Sequence, residues 1–311
     1  LLAHHVESMR RIAARRGLRS AIWADMALIH PEALELLSRE IILFDWRYEI
    51  FRGVDGIWIW DEKGGKLGSV EEMPPAARRR FEADLFPFGQ EPCRAPEVFY
   101  TSDHLKRQGF AVVMCPTSAC YMDTAYAGRH FMHVANCFDM LRHGRKRLDG
   151  CVVTSWTVHL YPYELQRAAQ RLPRWLKAHP AGTLYDYQCD FEREEFGLPG
   201  NGAFWRAAGR LSRRALLNFA GATGHDKTFR RVADEVIFQR IRAARENGIL
   251  RRELNQLREC LDEYRIARGE FAELSRQAGH GGDILALWEL AAAALATRAE
   301  AVLFLAEPLP D

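Results

Sequence analysis

Ile41-Ile42-Leu43-Phe44-Asp45-Trp46 is the stretch on which the fold turns: four apolar residues in a row, then an acid and an indole. A short unbroken apolar run of this kind reads as a strand buried on both faces, as in a parallel sheet. Three further runs have the same character: residues 19–26 (Arg-Ser-Ala-Ile-Trp-Ala-Asp-Met), 110–115 (Phe-Ala-Val-Val-Met-Cys) and 150–156 (Gly-Cys-Val-Val-Thr-Ser-Trp). Helical patterns separate them. An amphipathic stretch over 2–16 is closed by Gly17, a short helix over 31–38 begins at a proline, and residues 101–108 are followed by Gly109. A fourth helix is expected over 129–143. Four strands alternating with helices predict parallel βα units with helices against the sheet.

An insertion at about 53–100 interrupts this rhythm. It carries Ile57-Trp58-Ile59-Trp60, then Asp61-Glu62-Lys63-Gly64-Gly65, then a short helix after Pro74-Pro75. This predicts a hairpin and a helix laid over the mouth of the fold, where function-bearing excursions tend to sit. Asp61-Glu62, followed by Lys63-Gly64-Gly65, reads as a tight turn, since Asp and Gly are ordinary turn formers. From about residue 181 the strands stop, and long helical patterns run over 202–219, 226–246, 249–277 and 283–305. Leu250, Leu254, Leu257, Leu261 and Tyr264 form a stripe at helical spacing that faces a bundle. A structural, all-helical domain is expected over 181–311.

Composition narrows the function classes. Of 311 residues, 48% are apolar and 27% charged, which excludes disordered and fibrous chains. Forty-three basic residues against 41 acidic give a net charge of +2, too balanced for a general affinity for nucleic acid or a membrane surface. Neither partner is expected. Seven cysteines, an odd number without a short repeated spacing, argue against a disulfide framework and predict reduced thiols in the cytoplasm. The most apolar segment, residues 284–305, is interrupted by Glu289, Arg298 and Glu300, so no membrane span is predicted. His130, His133 and Cys137 share one face of a predicted helix, but no fourth ligand accompanies them, and packing is the preferred reading over a zinc site. No cofactor and no metal are called for. The opening residues, Leu1-Leu2-Ala3-His4-His5, carry neither an initiator Met nor a basic signal region, so the chain is expected to begin partway through a longer protein.

In parallel βα folds the chemistry collects at the carboxyl ends of strands. Here those ends hold Trp23 with Asp25, Asp45 with Trp46 and Tyr48, Tyr121 with Asp123, and Trp156. An indole offers a flat apolar wall with one donor edge, which suits the C–H faces of sugars, while carboxylates accept from sugar hydroxyls. The competing reading makes Trp23 and Trp46 core aromatics beneath the insertion, Tyr121 a turn residue, and Asp25 and Asp45 helix caps or loop acceptors.

This set resembles the catalytic barrel of the family-20 glycoside hydrolases, the β-N-acetylhexosaminidases. Trp23-Ala24-Asp25 is similar to that family's Trp-x-acid on the fifth strand, Trp46 to its tryptophan on the sixth, Tyr121-Met122-Asp123 to its Tyr-x-Asp after the seventh, and Trp156 to its tryptophan on the eighth. The resemblance covers about residues 3–174. It implies an α/β fold, the C-terminal half of a TIM-type (β/α)8 barrel (strands 5–8) over residues 1–180, followed by the all-helical domain. It also implies an exo-acting, retaining hydrolase in which the substrate's own acetamido oxygen attacks the anomeric carbon to give an oxazolinium. The Tyr121 hydroxyl would hold that oxygen in line, Asp123 would accept from a sugar hydroxyl, and Trp23, Trp46 and Trp156 would box the acetamido methyl and the ring. The substrate implied is a glycoside containing an N-acetylhexosamine, and self-association is assigned to a homodimer through the helical domain.

Two departures from the family pattern stand out. The family's Asp-Glu pair on the fourth strand, which orients the acetamide and supplies the general acid, and its arginine on the first strand have no counterpart here. The 311-residue chain is therefore expected to be inactive alone. In place of Trp-x-Glu on the eighth strand, Trp156 is followed by Thr157 and Val158, leaving His159 or Glu164 to bind the hydroxyl. The rivals are a carbohydrate-binding or scaffolding protein without catalysis, and another barrel hydrolase acting on sugars.

Overall fold

A computed structural model of the chain describes residues 1–48, 50–52, 56–61, 64–89, 95–120, 130–156, 162–213 and 232–306. Helix α1 (Leu2–Ala14) precedes strand β1 (Ala21–Trp23), then come helices α2 (Asp25–Ile29) and α3 (Glu32–Leu36) and strand β2 (Ile42–Asp45). The insertion supplies the hairpin β3 (Ile57–Asp61) and β4 (Gly64–Gly68) and helix α4 (Pro75–Leu85), after which α5 (Tyr100–Arg107) leads into β5 (Ala111–Met114) and β6 (Thr117–Ala119). Helix α6 (His130–Arg147) and the short strands β7 (Gly150–Cys151) and β8 (Thr154–Ser155) follow. The remainder is helical: α7 (Arg167–Ala178), α8 (Leu184–Phe196), α9 (Ala203–Leu211), α10 (Val232–Glu246), α11 (Leu250–Gln277) and α12 (Gly282–Ala306). The chain forms two compact units, residues 1–117 with 135–154, and residues 118–134 with 155–311.

The first unit is built on a four-stranded sheet in the order β1-β2-β5-β7, every neighbouring pair parallel. Spatial order thus follows chain order, with a helix in each crossover. The pairing sets Trp23 beside Phe44 and aligns Asp45 with Met114 and Met114 with Cys151. Successive strand residues face opposite ways. Leu43, Asp45, Val112 and Met114 share a face that is wholly buried, and α5 packs on the two strands that carry them. Ile42, Phe44, Ala111 and Val113 share the other face, which is only half buried.

Three differences from the expected elements have a plain physical cause. The run 19–26 is strand only through Trp23, because Asp25 starts α2, where a negative charge suits the first turn and Ala27 and Leu28 are buried from a helix. The last strand divides into β7 and β8: Val152 N–H reaches Met114 O and Thr154 N–H reaches Pro116 O, but Pro116 has no N–H to return to the ladder. Gly144 does not stop α6, which runs on to Arg147; a β-carbon at Gly144 would sit 3.1 Å from Met114 Sδ, so the glycine serves close packing.

Two sets of side-chain contacts, one buried and one part-buried, join the insertion and α6 to α5. Asp84 of α4 accepts from His104 Nδ1 (3.0 Å) and from Arg107, and His143 Nε2 of α6 meets Asp103 Oδ1 at 2.9 Å. Burial alone would push the Asp84 carboxyl up, but the hydrogen bonds from His104 and Arg107 and the Arg107 charge outweigh it and hold Asp84 below the ordinary carboxylate range. A depressed folded-state pKa contributes stability that is complete above the unfolded value, about 3.9, and is lost as the pH falls through the lower folded value. The melting temperature of the parent is therefore expected to fall more steeply than that of Asp84→Asn below about pH 4. Parallel acid profiles for the two proteins would contradict the assignment.

The second unit has its own core. Phe191, Phe196, Phe204, Trp205, Phe271 and Trp288 pack ring against ring, with Phe271 stacked on Trp288 at 5.6 Å. Leu254, Leu257, Leu261 and Tyr264 of the α11 stripe are buried, and α11 lies along α12, joined at the surface by Arg265 and Glu300 at 2.8 Å. Thr183 caps α8 through a reciprocal bond pair with Asp186. Among the described residues no helix is long and apolar enough to cross a membrane.

Candidate functional site

The residues that follow β2 form the most densely constrained group in the first unit. Asp45 is wholly buried: its Oδ2 accepts from Thr101 Oγ1 (2.9 Å) and Ser102 Oγ (2.5 Å), both in the first turn of α5, where the helix end favours negative charge. Arg47, equally buried, sets Nη1 2.9 Å from Asp45 Oδ1 and Nη2 2.6 Å from Thr101 Oγ1, and Nη1 also donates to the Trp46 carbonyl. The guanidinium carbon lies 4.9 Å from the centre of the Trp60 ring, within the range of a cation–π contact. Behind it, Asn136 of α6 donates from Nδ2 to Ile50 O at 2.5 Å and to Arg47 O, tying both carbonyls to α6.

In front of this buried pair stands an aromatic cluster. Trp46 stacks on Tyr48 (4.9 Å, 30°), meets Trp60 edge-on (5.4 Å, 86°) and lies 6.3 Å from Trp58. Tyr100 of α5 donates to Trp58 O at 2.7 Å and so ties the hairpin down; burial pushes its phenol well above the ordinary value. Asp45 and Arg47 both enter the helix layer, and Trp46, between them and just beyond the end of β2, packs on Tyr48 and the hairpin indoles. Trp23 itself meets Phe44 edge-on at 5.5 Å.

Gly65 makes the hairpin part of this arrangement possible. A β-carbon there would lie 2.7 Å from Trp58 Cε2 and 2.8 Å from Trp60 Cζ3, inside both indoles. Trp58 is anchored through its carbonyl and Trp60 is buried against Trp46, so a side chain at residue 65 must displace packed indoles. Gly65→Val is expected to cost about 1–3 kcal/mol in urea unfolding, as overpacking does, and to shift the tryptophan emission of the folded protein. Unchanged stability together with an unchanged spectrum would contradict the packing described.

The other residues singled out in the sequence are placed as follows. Asp25 is the first residue of α2, half buried. Trp156 and Glu164 belong to the second unit: Trp156 is partly exposed, its N–H bonded to Ala119 O, and Glu164 is exposed in a short 3-10 turn. Tyr121, Asp123 and His159 lie outside the described residues, as does Glu62. Asp61 closes β3 opposite Gly64. Trp23 thus contacts Phe44 of β2, while Trp46, one residue beyond β2, contacts Tyr48 and the hairpin indoles.

Sequence reasoning overlooked Arg47, Trp60, Thr101, Ser102 and Asn136. A signal was available for Arg47, a charged residue directly after Asp45-Trp46 at the spacing that returns it to the Asp45 side. No signal of similar kind marked Asn136, which comes from a helix 86 positions beyond Ile50.

His133 and Cys137 are buried, and among the described residues no group of three His, Cys, Asp or Glu side chains is arranged to hold a metal ion. Burial raises the thiols of Cys115 and Cys137 far above the ordinary range and that of Cys151 to about 12, which leaves them protonated and poorly nucleophilic. No protein-family model, no curated protein and no solved structure matches the chain.

Proposed function

We propose that this chain is part of the catalytic barrel of a retaining exo-β-N-acetylhexosaminidase-like glycoside hydrolase, with Trp23 and Trp46 lining its sugar site. The observation that carries the reading is the two-sided character of the sheet. Strands β1, β2, β5 and β7 follow one another in chain order, and one face of β2 and β5 is wholly buried beneath α5. The other face is half buried and bears Trp23 and Phe44, and Trp46 follows directly after β2. A barrel wall has this form, because its helix-covered side faces out and its other side faces a shared interior whose carboxyl end holds the chemistry. The half-buried indoles suit the apolar face of a sugar ring, and the hairpin aromatics beside Trp46 extend the same wall.

On this reading the substrate's acetamido oxygen is the nucleophile, positioned by the Tyr121 hydroxyl, and Asp123 accepts from a ring hydroxyl. Asp45 is excluded from direct catalysis, since both its oxygens are engaged on the helix side of the sheet. Calorimetric titration of the 311-residue chain should show binding of methyl β-N-acetylglucosaminide and markedly weaker binding of methyl β-glucoside. Equal affinities, or no binding of either, would remove the support for an N-acetylhexosamine site.

A further inference from the structure

We propose that Arg47 is the positioning residue of this site, acting from behind the sheet to fix where the aromatic wall stands; the sugar-binding consequence rests on the function proposed above. Arg47 does not face the half-buried side. Its guanidinium instead makes three separate connections at once: to the Asp45 carboxylate, to Thr101 at the start of α5, and to the carbonyl of Trp46 itself. Its flat face lies against Trp60 on the hairpin. One planar fork therefore joins β2, α5 and β3, the three elements that carry Asp45, Tyr100 and the Trp58–Trp60 pair. Trp46 is held from both sides, by its own carbonyl through Arg47 and by the edge of Trp60.

The residue types suit this task. A planar guanidinium offers five donors in fixed directions, whereas a lysine ammonium is a single point of charge on a flexible stem. Thr101 Oγ1 receives from Arg47 and donates to Asp45, and the Arg47–Asp45 ion pair completes the ring. Such a ring restricts the rotations that would let Trp46 and Trp60 slide past one another. An aromatic wall that is already in place loses less freedom on binding, which favours affinity.

Three variants test this: the double variant Asp45→Asn with Arg47→Met, the single variant Arg47→Lys, and Thr101→Val. The double variant removes both buried charges, so it is expected to fold and melt close to the parent. Its near-ultraviolet circular dichroism, which reports the mutual arrangement of Trp46, Trp58 and Trp60, should be clearly diminished, and its affinity for methyl β-N-acetylglucosaminide should fall about tenfold. Arg47→Lys should not restore either signal. A folded double variant with the parent's near-ultraviolet spectrum and affinity would overturn the proposal, as would full recovery with Lys. If the double variant does not fold, Thr101→Val, which breaks the ring and keeps both charges, must diminish the same spectrum, and an unchanged one overturns the idea. A parent that binds no sugar defeats the proposed function alone; the near-ultraviolet spectra then decide the role of Arg47.

Discussion

Arg47→Met is expected to destabilise the sheet unit by about 3–5 kcal/mol, enough to leave much of it unfolded under mild denaturant. The cause is the charge left behind. Asp45 is wholly inaccessible, and without Arg47 its remaining partners among the described residues are the hydroxyls of Thr101 and Ser102. Two neutral donors do not offset the loss of hydration of a buried carboxylate, so the unit must protonate Asp45 or open to water. Removing both charges together should recover most of the loss, since a buried pair contributes little net stability compared with neutral groups of similar volume. Urea unfolding followed by tryptophan fluorescence measures both. A cost below about 1 kcal/mol for the single substitution would show that water reaches the pair.

Trp46→Ala should act in the opposite sense, with a large effect on ligand and a smaller one on stability. The ring is partly buried and contacts Tyr48, Trp58 and Trp60, so its removal strips the centre of the wall without leaving a buried charge. Loss of a central aromatic anchor is worth about 2 kcal/mol or more, or roughly 30-fold in affinity for methyl β-N-acetylglucosaminide. Trp46→Phe should retain part of it, because a smaller ring still offers a stacking face. An alanine variant that binds as tightly as the parent would remove Trp46 from the site.

The legibility of this chain in its sequence was uneven, for physical reasons. The strands β2 and β5 were plain because Ile42-Leu43-Phe44 and Ala111-Val112-Val113-Met114 are apolar on both faces, and α11 was plain because its leucines recur at helical spacing. The hairpin was announced by its alternating indoles and by the glycines that follow. The end of β1 was harder, since an apolar run broken by one acid fits a strand or a short helix, and tertiary burial of Ala27 and Leu28 decided it. Trp23 and Trp46 are marked as candidates by position alone, since each stands at the end of a strand-forming run. The Asp45–Arg47 pair could not be weighed in the same way, because its meaning depends on Thr101, Ser102 and Asn136, which are brought to it only by the packing of α5 and α6.

The most direct measurement is the indole N–H spectrum of the nitrogen-15-labelled protein during titration with methyl β-N-acetylglucosaminide. The chain has eight tryptophans, divided between the two units, so each unit carries its own reporters. The resonances of Trp23 and Trp46 should move together along one saturating curve, while those of Trp205 and Trp288, in the core of the helical unit, stay in place. Stationary Trp23 and Trp46 resonances at saturating sugar, or movement confined to the helical unit, would contradict a sugar site on the half-buried face of the sheet.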